Sequence, residues 1–218
     1  MRPVDKTSFS GNKTTYKPFN TAKDDLITTL GSFCSYCERA VIYPALAVEH
    51  IENKDTYPDK ECDWSNFLLA CVNCNSIKGK KSVQAVLLPD RDNTFEVFLY
   101  LDSGFIQVKP NTGSTLALQA QALINLVRLD RIPSCNGYAG SDNLWLIRKE
   151  AWVLAHRYLK KYQENKCDIE TLIDLALLRG FWSVWMQVFE NDPAVQKALL
   201  NAFTGTNKSY FKSLLSKP

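Results

Sequence analysis

A chain of 218 residues with 45% apolar and 22% charged content has material for a real core, in one large domain or two small ones. Its net charge of +3 permits a local nucleic-acid surface but excludes a coating of positive charge. No run of about 18 apolar residues occurs, which excludes a membrane-spanning helix. The opening Met1-Arg-Pro-Val-Asp-Lys6 lacks the apolar core of a signal peptide, so the cytoplasm is the expected location.

Residues 1 to 23 are polar and basic, with Pro3, Gly11 and Pro18. They read as an irregular arm lying on the surface or on a partner. Asp24 to Leu30 predicts a short helix, with two acids in its first turn and Gly31 after its end. Leu46 to Ile51 is apolar and β-branched enough for a strand. Residues 52 to 63 are polar, contain Pro58 and read as a loop. Asn66 to Ala70 predicts a second short strand, and Cys74 to Val86 a helix weakened by Gly79.

Further on, Phe95 to Leu101 and Phe105 to Lys109 flank Asp102-Ser-Gly104, a β-hairpin signal. From Leu116 the apolar spacing turns helical, to about Arg131. Ser134 to Ser141 is a polar loop. Leu144 to Tyr162 is a second helix that Ser141 or Asp142 can cap. Asp168 to Leu178, Pro193 to Ala202 and Ser209 to Leu215 are further helices, and Phe181 to Phe189 is aromatic and apolar. The expected fold class is α+β: a small ββα unit, a hairpin and a mainly helical C-terminal half. The expected divisions are residues 1–33, an arm and short helix; 34–88, the ββα unit; and 89–218, the hairpin and a helical region with a possible partner-binding surface.

The chain has seven cysteines, and four of them form two Cys-x-x-Cys pairs, Cys34/Cys37 and Cys71/Cys74. In a reducing compartment such pairs read as metal ligands, not as disulfides. A tetrahedral zinc takes four thiolates at about 2.3 Å, and a two-residue gap lets both sulfurs of a pair reach one ion from a tight turn. Four cysteines close the coordination sphere, so this zinc would hold the fold and do no chemistry. Cys62, Cys135 and Cys167 lack partners at ligand spacing and read as ordinary free cysteines.

An all-cysteine zinc leaves His50 free. A neutral imidazole at the end of an apolar strand could take a proton from water near pH 7. Phosphodiester hydrolysis needs such a base and a divalent cation, Mg²⁺ or Mn²⁺, held by hard oxygen ligands such as Glu49 and the Asn75 amide oxygen. Asn75 and Lys78 are three apart and share a helix face, which would set Lys78 beside the metal as a phosphate contact. Asn66 could orient the histidine or its loop. The residues alone also fit a core or surface histidine and asparagines that shape turns. Adjacent strand residues point to opposite faces, so Glu49 and His50 can serve one site only at a strand end or a distortion.

These blocks resemble the HNH nuclease family, whose fold is the ββα-metal motif. The matching residues are Cys34/Cys37, Glu49-His50-Ile51, Asn66-Phe67, Cys71/Cys74, Asn75 and Lys78. The resemblance implies that His50 is the general base and that Asn66 supports the loop and orients the histidine. It makes Asn75 a catalytic-metal ligand, with Glu49 at the position of a metal-binding acid that is more often Asp. The opening residues, the hairpin and Leu126-Val-Arg-Leu-Asp-Arg131 extend a likeness to the HNH subunit family of Septu-type anti-phage systems, PtuB. Some of those systems accompany retrons. The likeness implies an ABC-type ATPase partner (PtuA) that restrains or activates the nuclease. In a retron context it also implies a reverse transcriptase and its nucleic acid.

Lys78, Lys80 and Lys81 form a basic spot expected to touch the nucleic acid, DNA or RNA. Arg148, Lys149, Arg157, Lys160 and Lys161 suit a solvated helix face, with nucleic-acid tracking as the minority reading. His156 on the same helix reads as structural. Phe181-Trp-Ser-Val-Trp-Met186 reads as core, with partner docking as the alternative. Two other functional readings remain: a zinc-stabilised module that binds nucleic acid or the ATPase without cutting, and a stand-alone restriction-type nuclease.

Overall fold

The computed structural model describes residues 1–7, 9, 11–133, 140 and 142–216. It contains two small two-stranded sheets and eight α-helices among those residues. Helix α1, Lys23–Leu30, delivers the chain to the first cysteine pair. Strands β1, Leu46–His50, and β2, Phe67–Cys71, then pair antiparallel, with Leu46 opposite Cys71 and His50 opposite Phe67. This register brings the second cysteine pair to the start of β1 and leaves the histidine at its end. Helix α2, Val72–Lys78, follows β2 without a loop, because Cys71 caps it by accepting the Cys74 amide at 3.5 Å. These elements are the expected ββα unit.

The helix pattern expected as far as Val86 stops at Lys78. Gly79 takes a positive φ of 50°, a conformation that costs glycine little and ends the helix. The chain then runs irregularly towards Pro89. The hairpin forms as β3, Phe98–Tyr100, and β4, Ile106–Val108, shorter than its apolar flanks suggest. Helices α3, Ser114–Val127, and α4, Leu144–Gln163, follow. Then come α5, Ile169–Arg179, α6, Trp182–Val188, α7, Pro193–Ala202, and α8, Lys212–Leu215. Asp168 and Asp192 cap α5 and α7 through their carboxylates. The Asp142 carboxylate accepts the Leu144 amide at 3.3 Å, while residues 134–139 and Ser141, including Cys135, lie outside the described residues. No helix among the described residues is long and apolar enough to cross a membrane.

One apolar cluster runs from Met1 through both sheets and α3 to Val184, and a second joins α4 to α8 around Trp182, Trp185 and Phe203. Two sequence expectations change here. The N-terminal arm lies on the surface only in part: residues 11–15 are exposed, but Met1, Val4 and Tyr16 are fully buried. The cations of α4 do not all face solvent either. Arg148 is buried and donates to the carbonyls of Gly104, in the hairpin turn, and Leu129, just past α3, both themselves buried. The aromatic run from Phe181 to Met186 is buried, as expected of core. His156 stacks on Trp152, with ring centroids 3.7 Å apart.

Glu38 joins the parts. It follows the first cysteine pair with a φ of 65°. Its carboxylate accepts from the Arg2 amide at 2.7 Å and the Ser183 hydroxyl at 2.7 Å, and its carbonyl accepts from the Phe181 amide at 2.8 Å. Gly180 lets α6 approach: a Cβ there would lie 2.4 Å from the Ala40 nitrogen, at a φ of 74°.

Candidate metal centre and active-site cleft

The two cysteine turns face each other. The sulfurs of Cys34, Cys37, Cys71 and Cys74 all lie within 4.8 Å of one another, and all four residues are buried. Each turn is shaped by an amide-to-sulfur contact, Cys37 to Cys34 and Cys74 to Cys71, both at 3.5 Å. Four thiols this close cannot all ionise unaided. Hydrogen bonds from Cys34, Cys37 and Cys74 hold the Cys71 thiol far below the usual range, while hydrogen bonding with Cys34 and Cys71 pushes Cys37 well above it. A divalent soft-ligand cation removes that conflict by binding all four as thiolates, so the donor set fits zinc.

His50 lies beyond this centre, at the far end of β1. Its Nε2 is 2.9 Å from the Glu61 carbonyl oxygen. A carbonyl only accepts, so Nε2 carries the hydrogen and Nδ1 keeps the lone pair in the neutral ring. The ring is held edge-on between Phe19, at 4.6 Å and 69°, and Phe67, at 5.3 Å and 85°. Burial lowers the pKa of His50 below the ordinary imidazole value. The lone pair is therefore available near neutral pH.

Asn66 fixes the loop that presents Glu61. Its amide oxygen accepts the Glu52 amide at 2.8 Å, and its nitrogen donates to the carbonyls of Glu52 at 2.9 Å and Lys60 at 3.1 Å. It touches the backbone on either side of the loop whose Glu61 carbonyl meets the histidine. Asn75, on α2, lines the same cleft as His50, a cavity of about 650 Å³. Phe19, Lys23, Tyr43, Glu49 and Lys54 are among its other lining residues.

Two expected site residues are placed differently. The Lys78 ammonium is buried, donating to the His50 carbonyl at 2.7 Å and lying 2.7 Å from the Glu49 carboxylate, so it is no phosphate contact in this arrangement. Glu49 also borders the cleft, but it is buried, its carboxylate is held by that lysine, and burial pushes its carboxyl up to about 7. Lys78 meets Oε1, so its ammonium competes with a cation for this carboxylate. Glu49 lies on strand β1, and its buried carboxylate draws in the ammonium of Lys78 from the end of α2. The remaining basic residues also divide: Lys80 is exposed and pairs with Asp55, and Lys81 donates to the Leu126 carbonyl at 3.0 Å, closing the end of α3. The sequence reading missed Phe19, Lys23, Tyr43 and the Glu61 carbonyl. A backbone carbonyl has no residue signature, and the arm's aromatic beside Pro18 was the one available cue.

Residues 34–81 match the family model described as HNH endonuclease. They form an HNH endonuclease domain. The chain is also 36% identical over 147 residues to the Septu protein PtuB of Bacillus thuringiensis, an alignment covering 64% of this chain and 53% of that protein. The chain thus spans about half the length of the curated relative it matches. The HNH domain contains the four cysteines, His50, Asn66 and Asn75; Phe19 and Lys23 reach its cleft from outside the matched residues.

Proposed function

We propose that this chain is a metal-dependent endonuclease that hydrolyses phosphodiester bonds of nucleic acid in the cleft at the end of β1. The observation that carries the reading is the His50 tautomer: Nε2 committed to the Glu61 carbonyl, Nδ1 left as a base in a cleft shared with Asn75. In this reading Nδ1 accepts a proton from the attacking water. Asn66 acts as a positioning residue, keeping the carbonyl of Glu61 where it fixes that tautomer. The Asn75 amide oxygen would hold a divalent cation, with the Glu49 carboxylate, shared with Lys78, as the second candidate ligand. A site with one or two protein oxygens suits Mg²⁺ or Mn²⁺, which otherwise keeps waters and phosphate oxygens. When bound, such a cation stabilises charge on the phosphate and the leaving oxygen.

The likeness to a Septu protein supports a place in anti-phage defence, beside an ABC-type ATPase subunit, in the cytoplasm, where cysteine thiols stay reduced. The test is cleavage of DNA and RNA by the purified chain, alone and with the co-expressed ATPase, in Mg²⁺ or Mn²⁺. His50→Ala is expected to lower the rate by roughly 10²–10⁴-fold, the usual contribution of a general base. Equal cleavage by the variant would remove His50 from that role. A zinc-stabilised binding module would show no cleavage in either protein while still taking up zinc and nucleic acid.

A further inference from the structure

A strand crossing His50 needs a cation for its flanking phosphates, and none of the three lysines after the second cysteine pair is well placed to serve. Lys78 is buried against Glu49, Lys80 is paired with Asp55, and Lys81 is spent on the end of α3. The cations that line the His50 cleft itself are Lys23 and Lys54. The Lys54 ammonium lies 3.3 Å from the Glu61 carboxylate, which offsets its charge. Lys23 has no ion pair among the described residues. Its ammonium sits 4.1 Å from the centroid of the Tyr43 ring. An aromatic face holds a cation in place without a formal countercharge, so the full charge remains available to an anion in the cleft. The neighbouring Asp24 accepts from the Tyr43 hydroxyl, which raises that phenol's pKa. Helix stability does not account for the lysine, because a cation in the first turn of α1 runs against the helix dipole.

We propose that Lys23, which precedes the HNH domain in sequence, contacts the phosphate backbone of a nucleic acid strand lying across His50, with Tyr43 holding its ammonium in the cleft. The inference rests on the phosphodiesterase reading for the identity of the ligand. Its test measures binding, so that the two can fail separately.

Full-length His50→Ala protein is titrated with fluorescent DNA and RNA oligonucleotides over a range of salt, with and without Lys23→Gln, Lys23→Arg, Tyr43→Leu or Lys212→Gln. The last lies on exposed α8, away from the cleft, and reports the bulk effect of losing one charge. Lys23→Gln is expected to weaken binding roughly three- to fivefold near 0.15 M salt and to reduce the log–log salt slope by about 0.7–0.9, the contribution of one phosphate contact. Lys23→Arg should bind like the parent. Tyr43→Leu, at an exposed position, should weaken binding by a smaller factor and guards against a folding defect in the lysine variant. Unchanged affinity and slope in both Lys23→Gln and Tyr43→Leu overturn the proposal. So does an equal loss in Lys212→Gln, or no binding of any oligonucleotide by the parent. Lys23-dependent binding by a chain that never cleaves would sustain this contact and defeat the catalytic reading.

Discussion

At the residue scale, the site depends on where two protons sit. The Glu61 carbonyl keeps one on Nε2 of His50, and burial disfavours a second on Nδ1. A base must be unprotonated to act. Cleavage is therefore expected to rise with pH through an acid limb centred below the ordinary imidazole value of about 6.5, and then to level off. A kcat/KM profile measures this; an acid limb above that value would contradict the buried, neutral histidine. Asn66 uses both ends of its amide at once. Asn66→Asp keeps the shape but turns a second oxygen towards the Glu52 and Lys60 carbonyls. The variant should lose about 1–3 kcal/mol of stability in chemical denaturation, the usual cost of leaving such a buried group unsatisfied. A larger loss of activity than of folded protein would separate loop positioning from simple folding.

At the element scale, the ββα unit is closed by sulfur chemistry more than by its strands, which are five residues each. Two such strands are marginal alone. Binding of zinc by Cys34, Cys37, Cys71 and Cys74 would supply folding free energy directly. Cys37→Ser or Cys74→Ser is expected to abolish stoichiometric zinc, read by elemental analysis, and to lower Tm sharply. A variant that keeps both zinc and Tm would point to a different ligand set. The end of α5 is equally constrained. Gly180→Ala would set a methyl against the Ala40 nitrogen at a positive φ, and is expected to cost more than about 1 kcal/mol in an unfolding titration.

At the scale of the whole molecule, the HNH domain is not an independent bead on a string. The cluster that buries its strands also takes in Met1, Val4, the hairpin, α3 and Val184. Glu38 ties the first cysteine turn to both the chain's opening residues and α6. A fragment ending at residue 88 would lose the hairpin, α3 and Val184 from the shared apolar cluster, and would leave the Glu38 carboxylate without Ser183. It is expected to be insoluble or to melt well below the full chain in a thermal-shift measurement. A soluble fragment with the full chain's Tm would show that the helical half is dispensable for folding.

The sequence by itself determined the parts that depend on spacing. Two residues between cysteines suffice for a metal-gripping turn, so Cys34, Cys37, Cys71 and Cys74 were legible, as were β1, β2 and the helices whose apolar residues recur with helical period. His50 and Asn75 could be singled out by residue type and order, and the structure sets both on one cleft. Only the tertiary structure decided what fills and faces that cleft. It turned Lys78 and Glu49 inward as a pair, because the charge on each needs a partner once buried. It brought Phe19 and Lys23 to the site across a long stretch of chain, and it made a backbone carbonyl, Glu61, the group that sets the histidine's tautomer. Spacing is local and can be read along the chain; contact between distant segments depends on how the core packs, and no single residue announces it.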